Sequence, residues 1–325
     1  MILARWLAAL LMSVMAAMAG AQQQWSPQRN VELVVPNPPG GSNDKTARTI
    51  ERVWTTNKIL PTTLSIMNRS GGGGSIAYTY VSQQAGNPHY LVVAGPALLT
   101  NHITGASSLH HTDLTPVASL FNDYTVYVVS ADSSIKTGKD LAARLRKDPK
   151  SIAIGFSPLL GSHNHIAAGL LMKAVGGNAR DLKVVAYKGS ADAMPNLMGG
   201  HIDLITTAAG NVAPLLGTGK LRIVGISADK RLPGALADVP TLREQGINVQ
   251  FGAWRAIFAP KGLTPQQVAY WEGALRKATE VAEWKDDLQK NVWADAFMGS
   301  EAFRKDLEQD YAEMKGVLVD LGLAK

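Results

Sequence analysis

Cysteine is absent from the 325 residues. That single absence removes disulfides, thiolate nucleophiles, zinc–thiolate sites and the lipid-attachment residue of bacterial lipoproteins. Aromatic residues are scarce at 6%, and no Lys/Arg block or stripe interleaves with them, although the formal net charge is +6. A dispersed positive charge favours anionic partners, but without a basic stripe it excludes nucleic acid as the expected partner. Past the amino terminus, no apolar run reaches the roughly 20 residues that a membrane-spanning helix needs.

What the chain does have begins with its first twenty-one residues. Arg5 precedes an apolar core from Trp6 to Met18, and Ala19-Gly20-Ala21 then stands before Gln22-Gln23-Gln24. One positive charge, a short apolar core and a small-x-small site predict a secretory signal peptide cut after Ala21. The mature chain is therefore expected to be exported and soluble. With 46% hydrophobic residues and a length above the usual single-domain range of about 100–150 residues, it is expected to form two lobes.

Strands alternate with helices along the chain. β-Branched or apolar runs at Val31–Val35, Thr63–Met67, Leu91–Ala94, Val126–Val129, Ile152–Gly155, Leu182–Val185, Ile202–Thr206, Ile223–Ile226 and Trp254–Phe258 predict strands. Helices are expected at Ala47–Trp54, after Ser75, and from about Lys139, His163 and Met194. This order predicts an α/β fold with largely parallel sheets. Two helices are expected to close the chain with no sheet of their own, with Pro265 in a first turn after Thr264 and Ser300 as an N-cap. The expected division is 22–124 for the first lobe, 125–250 for the second and 251–325 for a return to the first, so the chain crosses between lobes twice.

Chemistry is expected in the turns that leave the strands. In Pro38-Pro39-Gly40-Gly41-Ser42-Asn43-Asp44 the prolines stiffen the exit, the glycines allow tight turning, and Ser42 is placed to cap a helix. A helix start offers unpaired N–H groups to a carboxylate or phosphate. An ordinary capped turn, with Asp44 as a first-turn acid, is the alternative reading. Ser70–Ser75 holds four glycines but fits neither the P-loop nor the dinucleotide fingerprint. The turn Gly155–Ser162 leads into His163-Asn164-His165 in a similar way. Ser157 lacks the second glycine of the G-x-S-x-G elbow, and His163 with His165 lacks the i, i+4 spacing that chelates zinc. No catalytic residue, metal or cofactor is expected.

The ordered set Gly40-Gly41-Ser42 with Asp44 and Ala47-Arg48, Asn68 with Gly71–Gly74 and Ile76, Leu114-Thr115-Pro116, Gly161-Ser162 with His165, Tyr187-Lys188-Gly189, Gly199-Gly200 with Asp203, Gly219–Arg222, and Val239-Pro240-Thr241 with Glu244 and Gly246 resembles the solute receptors of tripartite tricarboxylate transporters, the Bug family. The resemblance implies a type II periplasmic binding-protein fold, two α/β lobes around a cleft, and a small organic acid ligand held by backbone N–H groups, hydroxyls and ordered waters rather than by an arginine. It carries over Gly40, Gly41 and Ser42 on one lobe and Ser157, Gly161 and Ser162 on the other. Asn37, Asp44, Ala97, His163, Thr206 and Thr207 complete the candidate set.

Two stretches depart from the family pattern. Asn87-Pro88-His89-Tyr90 stands where an acidic residue and glycine are usual, and Pro36-Asn37-Pro38-Pro39 follows the first strand, with Asn37 adding a polar group at the cleft edge. The implied mechanism is capture of a dicarboxylate or similar anion by lobe closure, followed by docking on the integral-membrane permease of a tripartite transporter. A sensor kinase is the alternative partner, and a secreted hydrolase using Ser157 the alternative activity.

Overall fold

The computed structural model describes residues 25–325. The predicted signal peptide, residues 1–21, lies outside them. No helix among the described residues is long and apolar enough to cross a membrane.

The first half of the fold is built from β1 (Val31–Val35), α1 (Ser42–Thr56), β2 (Leu64–Asn68), α2 (Ser75–Ser82), β3 (Tyr90–Ala94) and α3 (Ala97–Ile103). β1 pairs parallel with both β2 and β3. The long strand β4 (Leu114–Ser130) follows. Next come α4 (Gly138–Lys147), β5 (Ala153–Phe156), α5 (His163–Ala174), β6 (Lys183–Ala186), α6 (Ser190–Met198), β7 (Leu204–Ala208), α7 (Ala209–Leu216) and β8 (Leu221–Ile226). β5 pairs parallel with β6 and β7. The chain finishes with β9 (Gly252–Pro260), α8 (Pro265–Glu280), α9 (Ala282–Asn291), β10 (Ala294–Gly299) and α10 (Ser300–Asp320).

Parallel pairing, expected from the alternating order, forms the outer strands of each half. Antiparallel pairs gather at β4 and β9. β4 faces β9 from Leu114 to Tyr124 and then faces β7 from Thr125 to Val128. One continuous strand therefore serves two sheets, and it changes partner between Tyr124 and Thr125.

The closing region corrects the expectation of two helices without a strand. Three helices are present, and β10 lies between the second and third, antiparallel to β4 at Ala118–Asn122. Ala294-Asp295-Ala296-Phe297-Met298-Gly299 contains no β-branched residue, so its strand state comes from the neighbouring edge of β4 rather than from local preference. Ser300 is likewise not the cap. Gly299 holds the N-cap position, and the Ser300 hydroxyl donates to the Pro116 carbonyl at 2.6 Å. Pro265 does occupy the first turn behind Thr264, in a capping box with Gln267.

Burial follows the same division. Val31, Leu33, Ile50, Trp54, Trp271 and Trp284 pack on one side of the first sheet, and Val126, Val128, Leu197, Val212 and Ile226 pack on one side of the second. A third cluster joins Val92, Leu98 and Phe258 to Tyr127, Ile166 and Leu171 through α10 residues Phe303, Val317 and Leu318. Burial of large apolar side chains contributes about 1.5–3 kcal/mol each, which supplies the stability that a cysteine-free chain cannot take from disulfides.

Candidate functional site

A cavity of about 400 Å³ lies where the turns β1–α1, β3–α3 and β5–α5 meet β9. Strand ends of this kind are where open α/β sheets bind ligands, because helix starts converge there. From the first half it is lined by Asn37, Pro38, Pro39, Gly41, Ser42 and Asn43, and by Gly95, Pro96, Ala97, Thr100 and Asn101. From the second half come Pro158, Leu159, Ser162 and His163. Tyr78 and Arg255 reach it from α2 and β9.

The β1–α1 turn is organised by Asp44, which is 1% exposed. Its Oδ2 accepts from the Gly40 N–H and from Arg48 Nε, both at 2.8 Å, and its Oδ1 accepts from Asn68 Nδ2 at 2.9 Å. Burial alone would raise this carboxyl. The hydrogen bonds from Arg48, Gly40 and Asn68 outweigh it and hold the group below the usual carboxylate range. Gly40 turns at φ +87°, a conformation that favours glycine. Gly41, extended at the N-cap, leaves the first N–H groups of α1 without a side-chain cap. Ser42 is thus the first helical residue and not the capping one.

The β5–α5 turn is held differently. The Gly161 N–H donates to His165 Nδ1 at 3.1 Å, and His165 stacks on Phe156 with ring centroids 4.5 Å apart. The Ser157 carbonyl accepts from Ser162 Oγ at 3.2 Å and from Asn164 Nδ2 at 2.9 Å, while Thr206 Oγ1 donates to the Asn164 carbonyl at 2.8 Å. Burial pushes His165 down to about 4. Burial, with help from the Arg255 charge, pushes His163 down to about 3. Both imidazoles are neutral near pH 7. Ser162 caps α5 by position, and its side chain makes no capping hydrogen bond.

Of the twelve residues singled out from the sequence, the structure brings Asn37, Gly41, Ser42, Ala97, Ser162 and His163 to the cavity wall. Gly40, Asp44, Ser157, Gly161, Thr206 and Thr207 do not line it. Asp44 fastens Gly40, His165 holds Gly161, and Thr206 braces Asn164. Ser157 Oγ lies 3.3 Å from Ser190 Oγ, which lies 2.9 Å from Thr207 Oγ1. The neighbour of the Ser157 hydroxyl is therefore another hydroxyl and not an imidazole.

Sequence reasoning missed Arg255, Tyr78, Thr100 and Asn101 on the wall and Asp123 behind it. Arg255 Nη2 stands 3.7 Å from Asp123 Oδ2, with the side chains 8% and 3% exposed. Burial pushes Asp123 up to about 6 against the pull of Arg255. A signal was present: Arg255 is the lone charged residue in the otherwise apolar Ala253–Pro260 run, and a charge in a buried strand is rarely incidental. His102, His110 and His111 gather around Tyr311, but none lines this cavity. No three His, Asp or Glu side chains among the described residues are arranged to hold a metal ion.

Two α/β halves joined through β4 and β9, with a cavity where helix starts from both halves meet, define a two-lobed solute-binding protein. Residues 47–323 match the tripartite tricarboxylate transporter family receptor. The chain belongs to that family. It is 28% identical over 260 residues to the protein BugT of Bordetella pertussis, a match covering 78% of this chain and 77% of BugT. Among solved structures it resembles a TctC solute-binding protein from Polaromonas, at TM-score 0.77 and 29% identity over 91% of this chain and 99% of that one. It also resembles MatC from Rhodopseudomonas palustris with bound malate, at TM-score 0.73 and 25% identity over 90% of this chain and 99% of that one.

Proposed function

We propose that the protein is an extracytoplasmic receptor that captures a small carboxylate between its lobes and delivers it to the membrane permease of a tripartite transporter. The observation that carries this reading is the convergence of two uncapped helix starts, α1 at Gly41 and Ser42 and α5 at Ser162 and His163, on one cavity. Free N–H groups and the positive ends of two helix dipoles attract an anion. The lobes divide at residues 22–124, 125–250 and 251–325, with β4 and the segment before β9 as the crossings, consistent with the change of β4 partner at Tyr124 and Thr125.

A ligand meeting one helix start draws the other lobe onto its far side. Moving a population from 1:99 to 99:1 takes about 5.5 kcal/mol of differential affinity. Several charge-assisted hydrogen bonds at about 1.5–3 kcal/mol each can supply it. Malate in MatC supports a carboxylate as the ligand class. Native mass spectrometry of the purified protein, followed by a thermal-shift panel of mono-, di- and tricarboxylates, tests the reading. A bound organic acid and a rise in melting temperature with at least one of them are expected. A flat panel with no co-purified acid would remove it.

A further inference from the structure

Among the cavity-lining residues, Arg255 is the one side chain with a formal charge at neutral pH, and its surroundings narrow the ligand class. Arg255 and Asp123 are both more than nine-tenths buried, yet their closest approach of 3.7 Å is too long for a hydrogen bond. Arg255 Nη1 donates to the carbonyls of Ala253 and Trp254 at 3.1 Å. Arg255 Nε and Asp123 Oδ1 have no hydrogen-bond partner among the described residues. A buried ion pair offsets its desolvation only when its remaining protons and lone pairs are satisfied. Here the guanidinium lines a cavity with its Nε unpaired and its Nη2 beyond hydrogen-bond reach of Asp123.

Charge accounting sets the limit. Asp123 offsets Arg255, so the buried floor adds no net formal charge, and Lys45, the further cation that acts on Asp123, is exposed and screened by solvent. Unpaired guanidinium donors and the two helix starts suit one carboxylate. For a second carboxylate the walls offer neutral hydroxyls, of which Ser42 Oγ has no hydrogen-bond partner, but no further charged group. Asn43 donates to Asn37, and Asn101 donates to the Gly73 carbonyl. Asn43 Oδ1 is an unpartnered acceptor, which a carboxylate oxygen cannot satisfy. Pro38, Pro39, Pro96, Ala97, Pro158 and Leu159 make up an apolar wall, with Leu159 46% exposed at the mouth. Burying an unpaired second charge against such a wall is strongly unfavourable.

Resting on the carboxylate reading above, we infer that the ligand is a monocarboxylate with an apolar body, its carboxylate held by Arg255 and its body laid along the proline and Leu159 wall. Asp123 acts as the positioning residue that tunes the charge of the floor. Isothermal titration calorimetry on ligand-stripped mature protein tests this, using benzoate and isovalerate against succinate, adipate and citrate, with phenylalanine as a zwitterion. At least one monocarboxylate is expected to bind about tenfold or more tighter than every polycarboxylate. Arg255→Met is expected to weaken it by about 30-fold or more. Asp123→Asn, which uncovers the Arg255 charge, is expected to improve succinate relative to the monocarboxylates by about tenfold.

A polycarboxylate preference in the wild-type protein overturns the inference and leaves the receptor reading intact. So does a preference for phenylalanine, which would assign an ammonium to Asp123, or unchanged affinity in a folded Arg255→Met. If Arg255→Met fails to fold, the wild-type panel and Asp123→Asn decide alone. Absence of binding by every carboxylate would instead sink the reading beneath.

Discussion

The two turns that face each other across the cleft present similar backbone ends by opposite chemistry. On the first lobe the turn is tied by an ionised group, Asp44, whose two oxygens bind Gly40, Arg48 and Asn68. On the second it is tied by neutral groups, with His165 accepting from Gly161 and amide and hydroxyl side chains sharing the Ser157 carbonyl. A helix start can therefore be aimed at a ligand by either route, but the two routes fail under different conditions. The ionic tie is lost when a carboxylate gains a proton, and the neutral tie is opposed when an imidazole gains one.

The sharpest way to break the comparison is to fill the cleft from each side. Ser42→Trp and Ser162→Trp each place an indole in a cavity of about 400 Å³. Each is expected to weaken carboxylate binding by about a thousandfold, or about 4 kcal/mol, in a protein that still melts cooperatively. Loss in one variant alone, measured by calorimetry, would place the ligand on one lobe and make the second turn a bystander. Next in size is Asp44→Ala. It removes the buried acceptor shared by the Gly40 N–H, Arg48 Nε and Asn68 Nδ2, and a loss of about 3 kcal/mol in urea unfolding is expected. A loss below about 1 kcal/mol would show that the β1–α1 turn holds its shape without its ionic tie.

Acid separates the turns further. His165 sits at about 4 in the folded protein against an ordinary 6.5. As pH falls through 6.5 the unfolded chain takes up a proton that the folded one refuses, so stability is lost progressively until about 4. Asp44 lies below its ordinary 3.8, so its contribution stands throughout that window and fades only beneath it. Asp123, raised to about 6, works in the opposite sense, since the folded state then binds the extra proton. For that reason the useful quantity is wild type minus His165→Gln. That difference is expected to shrink by about 2 kcal/mol between about pH 7 and pH 5. Hydrogen exchange should show the β5–α5 turn loosening before the β1–α1 turn. An unchanged difference would mean that His165 is not held neutral.

Much of this contrast was legible from local patterns, and its decisive part was not. β-Branched runs marked the strands at Val31 and Ile223, and glycines with small hydroxyl residues marked both turns, because these signals lie within a few residues of the structure they specify. Which turn residues line the cavity was not local. Thr206 and Thr207 leave a strand end as cleft residues would, yet Thr206 is spent on Asn164 and Thr207 on Ser190. β10 has no β-branched residue and exists through its pairing with β4. α3, behind Pro96, and α7, with Pro214 inside it, are too short to show a helical period. Arg255 meets Asp123 only because β9 aligns against β4, with Asp123 opposite Ala253 and Phe121 opposite Arg255. Strand register between distant segments is not written in either segment alone.

The smallest expected effect concerns what joins the two regions. α10 packs on β4 and α3 of the first lobe and on α5 of the second. Its contact with α5 has an exposed polar part, Lys173 Nζ to Asp320 Oδ2 at 2.7 Å with side chains 59% and 43% exposed. It also has a close apolar part, where a methyl group added at Gly169 would lie 3.3 Å from Leu321 and 3.4 Å from Val317. Solvent screens the first and does not touch the second. Lys173→Met is therefore expected to change unfolding free energy by no more than about 0.5 kcal/mol, and to do so equally at low and high salt. A larger, salt-dependent loss would show that the lobes are joined electrostatically. In that case the neutral character assigned to the second lobe would end at its turn and would not extend to its contact with α10.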